Sequence, residues 1–253
     1  MTKKESHIVA VIPARYASQR LPGKPLAEID GRPMIRHVCE RVARAGLVGR
    51  VLVATDDERI VAAVRGFGGE AVMTPADLPT GTDRVAFAAR SIPEADIIVN
   101  VQGDEPLIPA AMIDEAIRPL IADPSIVCGT LVKKIATDEE LQNPSVVKVV
   151  CNVQGDALYF SRSPIPYARD TRQQDRTAAH TYYRHIGLYV FRRTFLLHLA
   201  GLAPTPLELA EKLEQVRILE HGYRIRATVT AHDSIAVDTP EDLERVRQLV
   251  RNV

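Results

Sequence analysis

Unbroken apolar runs alternate with amphipathic stretches through the first part of the chain. Ile8–Ile12 is apolar at every position, as a strand covered on both faces of a parallel sheet must be. Pro13 follows, and its missing N–H predicts that the ladder ends there. Met34, Ile35, Val38, Val42 and Ala45 recur at helical spacing, with Pro33 placed to open that helix and Gly46 to close it. Val51–Ala54 reads as a second buried strand, after which an aspartate of Asp56-Asp57 caps a helix with Ile60, Val61 and Val64 inward. Ala71–Met73 predicts a third strand. A helix from Arg84 to Ser91, capped by Thr82 or Asp83, precedes a fourth strand at Ile97–Val101. This rhythm is that of an α/β protein with a doubly wound, mostly parallel sheet.

The pattern then changes. After a helix at Pro109–Ala122, the runs Ile126–Ile135, Val146–Cys151, Ala157–Ser161 and Gly187–Phe191 mix apolar and polar residues. Half-exposed antiparallel strands look like this. Asn152–Asp156 (NVQGD) predicts a hairpin turn, and Ser163–Thr181 a polar, proline-bearing, mobile loop. Pro206–Glu220 predicts one long amphipathic helix with Leu209, Leu213, Val216 and Leu219 inward, ended by Gly222. Strands are expected at Arg224–Val229 and Ile235–Val237. Thr239, Pro240 and Asp242 form a capping-box variant that opens the last helix. The expected organisation is one domain over 1–253, with 1–122 a mainly ligand-binding parallel layer and about 123–200 a smaller antiparallel β subdomain.

Composition narrows the possibilities. The 253 residues carry 32 Lys plus Arg against 32 Asp plus Glu, which argues against a nucleic-acid scaffold, whose surface is basic overall. Any anionic ligand needs a local concentration of charge. Cys39, Cys128 and Cys151 have no metal-like spacing and read as packing residues of a reducing compartment. The apolar run behind Lys3 and Lys4 is too short for a signal core or a membrane span, so a cytoplasmic protein is expected.

Local charge is concentrated after the first strand. Arg15, Arg20 and Lys24 follow it, and no acidic residue occurs from Ile8 to Ala27. A cationic loop leaving the carboxyl end of a parallel strand lies where open α/β sheets bind ligands. Asp104 and Asp238 each follow an expected strand, and carboxylates facing a phosphate site are what Mg²⁺ requires. Each also has a plain structural reading, Asp104 as a turn residue and Asp238 as a helix-start residue. GxxxxGK[ST], GxGxxG, GxSxG and HExxH are all missing from the chain, and with them the chemistries those motifs carry.

The segments PARYASQRLPGKPL, NVQGDEPLI, YRHIGLYVF, PLELAEKLEQVR and VDTPEDLERVR closely resemble the CMP-Kdo synthetases. These are the 3-deoxy-manno-octulosonate cytidylyltransferase family of sugar nucleotidyltransferases. The resemblance runs from about Ile8 to Arg251 and implies a Rossmann-like nucleotidyltransferase sheet, with 1–122 mainly nucleotide-binding and about 123–200 a β subdomain used in sugar binding and dimerisation. It implies that Arg15 and Lys24 hold the CTP phosphates, and that Pro13, Ala14 and Ser18 contact the nucleotide. Gly81, Thr82 and Arg84 match a loop beside the cytidine, in which Thr80 and Asp83 replace the family's usual serine and glutamate. Asp104 and Asp238 match the magnesium ligands. Gln102, Arg162, His185, Tyr189, Glu214 and Gln215 match positions lining the sugar pocket. From chemistry alone, Arg162 suits a sugar carboxylate through its planar fork. His185 reads equally as a hydrogen-bonded strand histidine, and Glu214 and Gln215 as solvent residues of an amphipathic helix.

The implied reaction is CTP plus 3-deoxy-D-manno-octulosonate (Kdo) giving CMP-Kdo and diphosphate, for lipopolysaccharide biosynthesis, by a cytoplasmic, Mg²⁺-dependent homodimer. The alternatives are a cytidylyltransferase for another acidic sugar, such as an 8-amino-Kdo analogue or sialic acid, and a non-catalytic nucleotide sensor.

Overall fold

The computed structural model describes residues 7–17 and 20–251. The first part of the chain forms β1 (Ile8–Ala14), a short 3-10 helix at Lys24–Leu26, β2 (Glu28–Ile29), β3 (Arg32–Pro33), α1 (Met34–Val42), β4 (Arg50–Thr55), α2 (Glu58–Gly66) and β5 (Glu70–Met73). Then come α3 (Gly81–Ala89), β6 (Ile97–Asn100), α4 (Ala110–Ala122), β7 (Cys128–Lys134), α5 (Asp138–Gln142), β8 (Lys148–Cys151) and β9 (Ala157–Ser161). The rest forms α6 (Arg176–Ala179), β10 (Tyr183–Arg192), α7 (Arg193–Leu199), α8 (Pro206–Glu211), α9 (Val216–Glu220), β11 (Arg226–Val229) and α10 (Pro240–Arg251).

Among the described residues, nine strands form one sheet in the order β11-β7-β10-β6-β1-β4-β5, with β8 bonded to β10 and β9 to β8. β1 runs parallel to β4 and β6, and β4 parallel to β5. β10 runs antiparallel between β6 and β7, and β11 is parallel to β7. β2 and β3 form a separate small antiparallel pair.

Alternation along β1 explains its unbroken apolar sequence. Ile8, Ala10 and Ile12 share one core with Val38 and Val42 of α1 and Ile113 and Ile117 of α4. Val9 and Val11 share the opposite core with Val85 and Ala89 of α3 and Phe195 of α7. Each buried aliphatic side chain contributes about 2 kcal/mol relative to exposure, so both faces of an inner strand are apolar.

Several expectations are corrected. β1 does not stop at Pro13 but continues to Ala14, both paired with β4. Val11 O accepts from Val101 N, so Pro13, two residues on, faces the same side, where pairing with β6 has ended at Val11. No ladder bond is missing there. α3 begins at Gly81, capped by Thr80, whose hydroxyl accepts from Asp83 N. Ile235–Val237 joins no sheet. Gly187–Phe191 belongs to a ten-residue strand whose Tyr189–Phe191 part is paired with β6 on one side and β7 on the other. The stretch after Ser163 is anchored where Thr177 N and Oγ1 reach Asp138 at 3.1 and 3.0 Å.

The long helix expected at Pro206–Glu220 is two short helices, broken at Lys212, whose φ is 55°. Arg217 Nε and Nη2 grip Glu208 Oε2 and Oε1 at 2.8 and 2.6 Å, both side chains buried. Nine residues of continuous helix would hold them about 14 Å apart and on opposite faces. A bidentate pair therefore requires the break. It exposes Leu209 and leaves Glu214 in the bend rather than on a helix face.

Candidate active site

The strand order reverses at β1, from which the chain winds out through β4 and β5 before returning to β6 on the other side. Such a reversal opens a crevice at the carboxyl ends of the strands. Here the loops after β1 and β6 enclose a cleft of about 330 Å³ lined by Pro13, Ala14, Arg15, Lys24, Gly81, Gln102 and Asp104. Ser18 lies outside the described residues. The two loops touch at Gly103, where a Cβ would meet the Pro13 carbonyl oxygen at 2.7 Å. Only glycine lets the β6 loop come this close.

Lys24 stands at the centre. Gly23, at φ 71°, turns the chain into the 3-10 helix and brings Lys24 Nζ 2.7 Å from Asp104 Oδ2 and 3.2 Å from Asp238 Oδ1. Arg20 Nη2 lies 3.2 Å from Asp238 Oδ2. Asp238 precedes α10, yet Val237 N donates to Asp104 O at 2.8 Å, which fixes the two carboxylate-bearing segments side by side. The ammonium thus sits between two carboxylates, in the position of a shared cation. Among the described residues no group of three or more His, Cys, Asp or Glu side chains is gathered for a metal. Two carboxylates beside the cleft still suit a hard divalent cation, whose remaining positions water or ligand oxygens would fill. Neighbouring Glu105 is buried, and burial pushes its carboxyl up to about 7.

Arg15 lines the cleft and donates to Leu78 O. Arg84 is corrected from nucleotide ligand to wall brace. Its side chain is 0% exposed, and it binds Asp56 Oδ2 at 2.8 Å as well as the Thr74 hydroxyl. Thr80 and Thr82 join the cleft to the α8–α9 bend through Glu214, at Oγ1–Oε distances of 2.7 and 3.0 Å. Burial raises the Glu214 pKa, although both hydroxyl bonds oppose the shift. Gln215 is buried beside it at the start of α9.

On the other wall, Gln102 Nε2 donates to Gly187 O at 3.2 Å. His185 Nε2 lies 3.0 Å from Thr130 Oγ1, and its ring packs edge-on to Phe160 and at a tilt to Tyr189. Thr130 donates its hydroxyl proton toward the carbonyls of Ile186 and Leu188, so the imidazole donates to Thr130. Burial lowers the His185 pKa from 6.5 to about 3, and burial together with Glu214 raises that of Tyr189. Arg162 does not present its fork to the cleft. Nε, Nη1 and Nη2 donate to the carbonyls of Glu211, Pro144 and Lys212 at 2.8, 3.1 and 3.4 Å. Those carbonyls include the end of α8, which a cation complements.

Sequence reasoning missed Arg59, whose guanidinium lies 3.3 Å from the Tyr16 ring centroid and pins the loop after β1 to the start of α2. It also missed Glu211, which accepts from Ser161 Oγ at 2.6 Å and Arg162 N at 2.9 Å. Neither carries a signal in the local pattern.

Residues 9–225 match the family model described as Cytidylyltransferase. A 3-deoxy-manno-octulosonate cytidylyltransferase of Geobacter metallireducens is 60% identical over 244 residues, covering 94% of this chain and 96% of that protein. The chain belongs to this cytidylyltransferase family. The Geobacter sulfurreducens enzyme of the same name is 57% identical, covering 97% of this chain and all of its own length (100%). The solved structure of CMP:2-keto-3-deoxy-manno-octonic acid synthetase complexed with CTP superposes with a TM-score of 0.91 at 44% identity, covering 98% of this chain and 99% of that one. That structure thus shares this chain's fold over nearly its whole length.

Proposed function

We propose that this chain activates Kdo, joining it to CMP from CTP with release of diphosphate. The observation that carries the reading is the convergence of Asp104, Asp238 and Lys24 on one point of the switch-point cleft, in a chain with 60% identity to a relative of that name. Arg15 and Lys24 provide the positive charge on the phosphate side of the cleft. Pro13 and Ala14 line the nucleotide side through their backbone, and Gly81 and Thr82 shape it at the start of α3. Gln102, His185, Tyr189, Glu214 and Gln215 form the sugar side. His185 is neutral and its Nε2–H is held by Thr130, so it acts on the sugar by accepting at Nδ1 rather than by charge.

Asp104 and Asp238 are the residues that would hold Mg²⁺. When bound, the ion offsets charge at the α-phosphate as an acidic sugar approaches. Lys24 neutralises the same two carboxylates in the free protein and is placed to transfer its hydrogen bonds to phosphate oxygens. The anomeric 2-hydroxyl of Kdo then attacks the α-phosphorus in line, the new P–O bond forming as the α–β phosphoanhydride bond breaks, with diphosphate leaving opposite and the hydroxyl proton passing to water. The cleft contributes positioning and charge complementarity, with no covalent intermediate.

We also place the reaction in the cytoplasm, where CTP is available, and read the protein as a homodimer. No helix among the described residues is long and apolar enough to cross a membrane. Leu158 on the outer strand β9 and Val153 in its hairpin are 60% and 97% exposed, which suits a contact surface. Sedimentation velocity tests the dimer. Mixing the protein with CTP, Mg²⁺ and Kdo, an 8-amino analogue or sialic acid, and following pyrophosphate release, tests the reaction. Release with Kdo above the other sugars is expected, and release with none of them defeats the reading.

A further inference from the structure

Between β11 and α10 the chain runs through residues 231–238 without joining a sheet or a helix. Its main chain is tied at both ends, Thr230 N to Val132 O at 2.9 Å and Val237 N to Asp104 O at 2.8 Å. Between these ties, the described side-chain bonds to the sheet all run through Asp233. Its Oδ2 accepts from Lys133 Nζ at 2.8 Å and its Oδ1 from Arg184 Nη2 at 2.6 Å. Lys133 and Arg184 stand opposite each other on β7 and β10. Arg184 is held in turn by Glu140, Nε to Oε1 at 3.0 Å.

Ile235 and Val237 pack in a small core with Leu243 and Val246. Apolar packing fixes how deep the segment sits but is non-directional. The paired, directional contacts at Asp233 fix where it lies along the sheet. We propose that Asp233 is a positioning residue for Asp238, clamping the irregular segment to β7 and β10 so that the Asp238 carboxylate faces Asp104. Because Arg184 directly precedes His185, the same clamp sets the spacing between the metal side and the sugar side of the cleft. The assignment rests on the reading of Asp238 as a metal carboxylate.

Half-exposed ion pairs contribute little to stability, whereas removing a group bonded directly to a metal ligand commonly costs about 10–100-fold in metal affinity, and a clamp acting through the intervening backbone costs less. Asp233→Ala is therefore expected to weaken Mn²⁺ binding about three- to tenfold. Electron paramagnetic resonance of the full chain with a non-hydrolysable CTP analogue measures this. Melting temperature and metal-free affinity for the analogue stay at wild-type values, and Asp233→Glu recovers most of the loss. Wild-type Mn²⁺ affinity in Asp233→Ala overturns the proposal, as does a loss that Asp233→Glu fails to recover. Asp238→Asn separates the two ideas. If it loses Mn²⁺ while Asp233→Ala does not, only the clamp is wrong. If it too binds Mn²⁺ normally, the metal reading of Asp238 has failed and the clamp falls with it.

Discussion

Lys24 Nζ donates to Asp104 Oδ2 at 2.7 Å across a separation of 80 residues, and the same ammonium reaches Asp238 Oδ1 at 3.2 Å. Two carboxylates that share one cation in this way are placed to share another. Asp104→Asn and Asp238→Asn should each lower kcat at least ~10²-fold, the scale of losing a principal electrostatic stabiliser. Steady-state rates at saturating Mg²⁺ check this, and near-normal turnover in either variant would remove it from the metal site.

Lys24→Met has effects of opposite sign on the two ligands. Loss of a charge-assisted hydrogen bond to phosphate should raise KM for CTP about tenfold. Without nucleotide, however, the variant should bind Mn²⁺ more tightly than the wild type, because no ammonium competes for the carboxylates. Calorimetric titration of the nucleotide-free protein decides it, and weaker Mn²⁺ binding would contradict the shared position.

Gly103→Ala drives a Cβ toward a backbone oxygen 2.7 Å away. Overpacking of this kind costs about 1–3 kcal/mol, or about 2–4 °C in Tm for each kcal/mol in a chain of this size. Because the strain falls between the two cleft loops, kcat should fall as well. A variant with unchanged Tm and unchanged kcat would mean that the loops do not meet as described.

Glu214→Gln should stabilise the protein in a pH-dependent way. Burial raises the Glu214 carboxyl above its ordinary value of 4.5, so above that pH the folded state retains a proton that the unfolded chain has released. Stability is therefore lost as pH rises through the folded pKa. Glutamine cannot ionise. The Tm of the variant relative to wild type should be level below pH 4.5 and climb toward neutrality. A difference that stays constant with pH would show Glu214 to be ionised without penalty.

His185 should remain neutral through the physiological range, because its pKa is lowered from 6.5 to about 3. Its contribution to stability is complete above pH 6.5 and is lost as pH falls toward 3, as the unfolded chain takes up the proton first. Imidazole NMR shifts that stay flat from pH 8 to 5 are expected. A midpoint above 5 would return the ring to an exposed, titrating role.

The parts of the fold that were legible are those whose sequence answers to local rules. β1, β4 and β6 are readable because buried parallel strands need apolar residues on both faces, and the edge strand β5, only partly buried, by its short apolar run Ala71–Met73. The start of α10 was readable because Thr239 and Asp242 satisfy each other's backbone N–H groups, at 2.9 Å and 3.2 Å. Pro206–Glu220 misled because nothing in its helical periodicity records that Glu208 pairs with Arg217. Arg84 and Arg162 misled for a related reason. An arginine reads the same in sequence whether its guanidinium faces a ligand or is enclosed by Asp56 or by main-chain carbonyls.

The parallel layer, the cationic loop that leaves it and the family to which the chain belongs can all be read from residue order alone. Each of these is written in residue type and near-neighbour spacing. That Lys24 stands between Asp104 and Asp238, that Gly103 closes the gap between two loops, and that Glu214 turns inward from a broken helix emerges only once the chain is folded. Contacts across 80 or 214 residues depend on how whole layers pack and how loops close over them, and no local pattern encodes that geometry.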